Sequence, residues 1–283
     1  MRLLFNNQID NPATVLTASS AAGTYPVGKL KDSLRKRRWR AMGSVEESVI
    51  VRLPPSLTIS CFAITGHNLS DTATIEIQRS ANGVTYVGVI TIRITPTESG
   101  GFGEGGFGEG GFGGVNASVV LPGNTQAAFF TAVSSTTYPY WKIIIRDVDN
   151  IDNFVEVGRV YLGDYWEPPK QIVPNWKIDI IDESEITQLL SNQKINNEKD
   201  IYSQVSFQLP HLNPTNALGF FLPIIKTYDA TKKDSFLVLF PDKSLFVRDV
   251  TTVYGRFISG DIGVTQIGMH TFDTGTVVFE ESL

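Results

Sequence analysis

Residues 29–40, KLKDSLRKRRWR, gather seven basic side chains, one acid and Trp39 in a single run. Such a run has the groups to hold phosphates and to stack a base. It has equally the groups to dock on an acidic protein surface through Arg35, Lys36, Arg37, Arg38 and Arg40. Charge balance decides between them. Residues 1–165 hold 14 basic and 14 acidic residues with no second basic stripe, and the whole net charge of −5 falls on 166–283. A solvated face or a protein interface is expected, and nucleic acid is not.

Catalytic chemistry finds few carriers. Gly66-His67-Asn68 sets a histidine after an apolar strand, where a general base could sit, but no nucleophile and orienting acid can be singled out to go with it. A hydrogen-bonded structural histidine is the expectation. Asp147, Asp149 and Asp152 alternate acid and spacer as calcium loops do, without the sharp-turn glycine or the closing glutamate, so an acidic turn is expected. His67, His211 and His270 lack metal-ligand spacing. Cys61 is the single cysteine, which excludes an intrachain disulfide and a multi-cysteine zinc site. Hydrolysis of a glycoside needs two facing carboxylates, and 29 acids give too many pairs to single one out. No catalytic residue, metal or cofactor is assigned, and the chain is read as a non-enzyme.

The elements that would position any site are short and β-like. The 283 residues are 42% hydrophobic and 19% charged, with 25 Gly and 14 Pro. In 48–53, 59–65, 74–78, 84–94, 117–121, 140–147 and 156–162, Val, Ile, Thr and Tyr recur between Gly, Asn, Asp, Ser and Pro. These read as strands of an antiparallel jelly-roll-type sandwich over 1–165, with one helical turn within 27–38. Trp166-Glu167-Pro168-Pro169-Lys170 marks a stiff joint. Beyond it, 166–283 reads as a smaller β domain with strands at 204–209, 235–240, 244–247, 251–258 and 276–279. Helices are expected from the acidic cap at 182–185 to about 193, and from Asn213-Pro214 to about 225, where Pro223 would bend or end the second. No uncharged apolar run reaches the ~18 residues of a membrane span. The polar turn after the first five residues gives no signal-peptide core, so a chain made in the cytosol is expected.

Residues 100–114 read GGFGEGGFGEGGFGG, three near-copies of a pentapeptide. The lysine and hydroxyl residue of a phosphate loop are missing, and glycine at this density predicts a mobile inter-strand loop. Phe102, Phe107 and Phe112 are candidate stickers for a partner or another copy. Aromatic platforms for a sugar are candidates at Trp39, Tyr138 and Tyr140, with Tyr86 and Trp141 also considered.

Several segments together carry a resemblance. They are Tyr25-Pro26-Val27-Gly28-Lys29-Leu30-Lys31-Asp32, Arg38-Trp39-Arg40, Ile64-Thr65-Gly66-His67-Asn68-Leu69, Tyr140-Trp141-Lys142-Ile143 and 156–163, EVGRVYLG. In this order they resemble the discoidin-like, galactose-binding-like sandwich of tail proteins from long-tailed bacteriophages. In the second part, Phe240-Pro241-Asp242, 250–257 (VTTVYGRF) and Phe279-Glu280-Glu281 resemble the ring-forming half of distal-tail or baseplate proteins. The resemblance implies a virion tail structural protein made in the host cytoplasm. It implies self-association into a symmetric ring, hexameric in one form, that contacts tail tube, tape-measure and hub or fibre proteins. The alternative is a carbohydrate-binding adhesin for host surface sugars, since such sandwiches host many functions.

Overall fold

The computed structural model describes residues 1–34, 36–55, 57–70, 72–93, 128–170, 172, 176–188, 194–197, 199–227, 233–241, 251–258 and 262–282. The mainly β class expected from the sequence is what is found. Strands up to the proline-rich joint are β1 (Arg2–Asn7), β2 (Val15–Ala18), β3 (Trp39–Arg40), β4 (Glu47–Arg52), β5 (Ile59–His67), β6 (Thr74–Ser80), β7 (Val87–Arg93), β8 (Ala128–Thr136), β9 (Tyr140–Arg146) and β10 (Glu156–Trp166). Those after it are β11 (Lys177–Asp182), β12 (Glu185–Gln188), β13 (Lys194–Asn197), β14 (Ile201–Phe207), β15 (Ser235–Val238), β16 (Thr252–Phe257), β17 (Val264–Gly268), β18 (Thr271–Thr274) and β19 (Val277–Glu281).

A five-stranded antiparallel sheet, β2-β4-β9-β6-β7, faces part of a larger sheet, β11-β14-β19-β16-β15-β1-β10-β5-β8, to which β3 adds beside β10. Alternation explains the sandwich. Val49 and Val51, Ile75 and Ile77, and Trp141, Ile143 and Ile145 point inward from the five-stranded sheet onto Phe62, Ile64, Val157, Val160 and Leu162 of the larger one. β5 is buried along its whole length, so both its faces are covered. On its far side Cys61 and Ala63 join Leu4, Tyr161, Phe236, Val238 and Tyr254. The sheet curls there, bringing β8 close to β16. A further apolar cluster unites Met1, Leu3 and Trp166 with Val205, Phe207, Phe221, Leu237, Phe257 and Phe279.

β1 links these layers. Leu3 pairs with Trp166 of β10 on one side and with Leu237 of β15 on the other. Gly255 lets β16 and β19 close up, because a Cβ there would stand 1.8 Å from the Glu280 carbonyl oxygen.

Two expectations change. The helix expected from 182 to about 193 is replaced at 185–188 by strand β12, which pairs with β13 from Glu185↔Asn197 to Gln188↔Lys194. The facing segment supplies the hydrogen bonds that a helix would have made internally, and β-branched Ile186, Thr187 and Ile195 suit the ladder. At 213–225 a helical segment does form. Asn213 Oδ1 accepts from the Asn216 N–H at 2.8 Å, and a π-type stretch, Thr215–Phe221, passes into an α-helix, Leu222–Thr227. Pro223 follows directly on the π-type stretch and the helix runs on through it to Thr227, so it does not end the helix. The single turn within 27–38 is a 3-10 turn at Val27–Lys31. The strands expected at 117–121 and 244–247 lie outside the described residues.

Candidate functional site

The end of the five-stranded sheet where β6 turns into β7 holds a cavity of about 250 Å³, lined by Arg79, Ser80, Ala81, Asn82, Thr85, Val87 and Tyr138. Its floor is a tied turn. Ser80 Oγ accepts from the Gly83 N–H at 2.9 Å, and Asn82 Oδ1 accepts from the N–H groups of Val84 and Thr85 at 2.9 and 3.1 Å. Gly83 has φ +74°, and a Cβ there would press on the Tyr140 ring at 3.0 Å, so conformation and space both demand glycine. Asn82 lines the cavity with its oxygen committed to the turn.

The wall is cationic and aromatic. The Arg79 guanidinium lies over the Tyr138 ring at 4.8 Å from the centroid, Arg52 over Tyr140 at 5.9 Å, and the Lys142 ammonium over Tyr86 at 5.9 Å. Cross-strand register divides these pairs between the two faces of the sheet: Arg79 opposes buried Trp141 on the inward face and lines the cavity, whereas Arg52, Tyr140 and Lys142 alternate to the outer face. Burial, with Tyr140 beside it, raises the Tyr86 phenol above its ordinary value. None of Arg52, Arg79 and Lys142 has an acidic partner among the described residues. Arg79 Nη1 is shielded from solvent and has no hydrogen-bond partner.

Of the residues singled out from sequence, Tyr138 lines this cavity, while Tyr140 packs against Gly83 and opposes Arg52 and Ser80. Trp39 does not. It is fully buried in the sandwich core and its indole N–H donates to the Ser20 carbonyl at 3.0 Å, so it presents no ring face to a ligand. Trp141 is buried likewise, its N–H donating to the Tyr138 carbonyl. Tyr86 stands at the cavity's flank.

The basic run folds back on its own chain. Arg38 and Arg40 both donate to the Glu156 carboxylate at 2.9 Å, and Arg40 is held between the Tyr25 and Phe154 rings at 4.3 and 4.2 Å. Arg40 is held even more firmly protonated than usual, chiefly by that bond to Glu156. Arg37 pairs with Asp32 at 3.0 Å, and Lys36 reaches Asp200 at 2.5 Å on the surface. Arg35, Phe102, Phe107 and Phe112 lie outside the described residues.

At the opposite sandwich end, His67 is enclosed, and desolvation lowers its pKa to about 4 with Arg38 adding to the effect and Asp147 opposing it. Its Nδ1 accepts from the Leu69 N–H at 3.3 Å. The acidic turn is tied internally: Asp147 accepts from Ser70 Oγ, from the Ser70 N–H at 2.8 Å and from Asn150 Nδ2 at 2.8 Å, while Asp149 accepts from Thr72 Oγ1. Among the described residues no cluster of three His, Cys, Asp or Glu side chains could hold a metal ion. No helix among them is long and apolar enough to cross a membrane.

Sequence reasoning missed Arg79, Asn82 and Thr85. Asn82-Gly83 between two alternating segments is a hairpin signal that could have located the turn. Nothing in sequence distinguishes Arg79 from other strand-end basic residues.

No protein-family model matches this sequence, and no curated protein matches it. Among solved structures, CpGH89CBM32-5 from Clostridium perfringens, in complex with GalNAc-beta-1,3-galactose, is similar at TM-score 0.40 and 11% identity over 56% of this chain and all of that one. The family 32 CBM from C. perfringens NanJ, in complex with galactose, gives 0.38 and 16% over 59% and 100%. Chitosan-binding module 1 from a Paenibacillus sp. IK-5 chitosanase/glucanase gives 0.39 and 15% over 56% and 99%.

Proposed function

We propose that this chain is a non-catalytic carbohydrate-binding β protein, with its saccharide site at the β6–β7 turn against Tyr138. The observation that supports this reading is the cavity itself. A pre-tied turn offers the Asn82 amide and the Thr85 hydroxyl beside an aromatic wall, the pairing of flat apolar face and fixed polar groups that a sugar ring requires. The test is a glycan array probed with the full chain and with Asn82→Ala. Binding to one or more glycans by the parent and its loss in the variant are expected. An array without any bound glycan would refute the reading.

A second reading, a ring-forming tail component of a phage virion with a sandwich at 1–165 and a docking part at 166–283, has support from one feature. β11 is the last strand of the large sheet, and its Ile180 is 75% exposed, an apolar edge suited to pairing with another copy. Its partners would be tail tube, tape-measure and hub or fibre proteins. Light scattering over a concentration range is the test. A ring-sized mass supports it, and a monomer at every concentration counts against self-assembly.

A further inference from the structure

The two large sheets have four outer strands, and one of them is both long and open. β7 and β8 border residues outside those described, and β2 is four residues long. β11 runs for six residues, pairs with β14 along one side and meets no strand on the other among the described residues. Its outward N–H and C=O groups are a template for another strand. Ile178 packs against the apolar cluster of the second part, opposite buried Val205. Two residues on, Ile180 lies on the same face but stands 75% exposed, and Ile201, opposite Asp182, continues that face at 52%. The core-side face of the β11–β14 pair thus runs on past its own core.

A second copy is the occupant that the charges fit. Two antiparallel edges join into one sheet about a two-fold axis perpendicular to it, and each residue then meets one on the same face. Centred on Asp179, that axis sets Asp179 against itself. Centred on Ile181, it sets Asp179 against Glu183 of the second copy, and the symmetry repeats the clash. Like charges directly opposite destabilise a ladder, so both registers are disfavoured. Centred on Ile180, the axis sets Ile180 against itself, Asp179 against Ile181, Ile178 against Asp182, and Lys177 against Glu183 at either end. No two charges of like sign then stand directly opposite. Centres nearer either end of the strand leave too short a ladder. Lys177 has room to reach across, since its side chain is 65% exposed and its contact within the strand, Asp179 at 2.7 Å, lies on the same face. Glu183 directly follows the strand and accepts from the Tyr202 hydroxyl at 2.9 Å on the surface.

We infer that β11 is the contact edge of a homodimer, in which two copies pair antiparallel about Ile180 into one continuous sheet with a Lys177–Glu183 contact at each end. An isologous contact closes at two copies, whereas a ring needs a heterologous one, so this goes beyond the ring reading of the same edge.

The experiment is sedimentation equilibrium of the full chain over a concentration range, with Lys177→Glu, Glu183→Lys and the double exchange in parallel, each checked for a melting temperature near the parent's. The parent should approach twice its 31.1 kDa and go no further. Each single reversal sets like charges opposite at both ends and should weaken the dimer roughly tenfold. The double exchange restores opposite charges and should return the affinity to within roughly threefold of the parent's. A monomer at every concentration would overturn the inference. A mass that climbs past two copies would overturn it too, while leaving the ring reading standing. A dimer indifferent to all three variants would place the contact on another surface and overturn the assignment to β11.

Discussion

Acid should weaken this fold through His67, and the size of the effect follows from its surroundings. The imidazole closes β5, is shielded from solvent and accepts the Leu69 N–H on Nδ1, so the native state holds it neutral. Protonation would put a charge in an enclosed site and turn that acceptor into a donor. Between the unfolded value of 6.5 and the folded value of about 4, the native state binds fewer protons than the unfolded chain. Stability therefore rises with pH: it is fully present above about pH 6.5 and is lost as pH falls towards 4. The limit of this contribution is about 3 kcal/mol, of which about 2.5 kcal/mol is gone by pH 4.5. Other carboxylates titrate in the same range, so the measurement is a difference. Urea unfolding of the parent and of His67→Gln is compared at pH 7.5 and pH 4.5, with glutamine able to accept the same backbone N–H. The parent should lose roughly 2.5 kcal/mol more than the variant over that interval. Parallel losses in the two proteins would refute the reasoning and mean that solvent reaches the imidazole.

Other consequences are open to the same kind of check. Gly255→Ala should cost about 2–3 kcal/mol in urea unfolding, because the new methyl meets the Glu280 backbone and the two strands must part; a neutral result would mean that β16 and β19 are not so closely paired. Glu156→Ala should cost about 2 kcal/mol by leaving the Arg38 and Arg40 guanidinium groups beside each other without their shared carboxylate, read as a fall in the urea midpoint. Ile180→Lys should change stability by less than about 0.5 kcal/mol while lowering any concentration-dependent mass seen by light scattering; unchanged association would take β11 out of the interface.

Much of the sandwich is legible in sequence because alternation and burial coincide there. Ile75 and Ile77, Val49 and Val51, and Ile143 and Ile145 announce inward faces, so β4, β6 and β9 fall where the period of two predicts, while β5 and β10 fall on near-continuous apolar runs. β1 is not announced: LLF followed by Asn-Asn lacks alternation because the strand is covered on both sides by partners far away in sequence. The pairing of β12 with β13 is hidden by an acidic cap and leucines that mimic a helix start. The candidate site is half legible. Tyr138 stands out by type, but Arg79 comes to lie over its ring only through the fold, and a contact between residues 59 apart leaves no trace in local sequence. Trp39 shows the converse, since a tryptophan within a basic run reads as partly buried, and its complete burial shows only in the packing of the core.

The placement of β1 also bears on the order in which the molecule is built during synthesis. The strand leaves the ribosome first, yet its partners, β10 and β15, follow some 150 and 230 residues later. Until they emerge, an apolar strand has both edges open, and its closure depends on contacts of very large sequence separation, which slows folding. A nascent chain halted before β15 would keep one edge of β1 bare, available to exchange with the same strand of a neighbouring chain. Slow translation between residues 166 and 235 is thus a point at which this protein is exposed to mispairing.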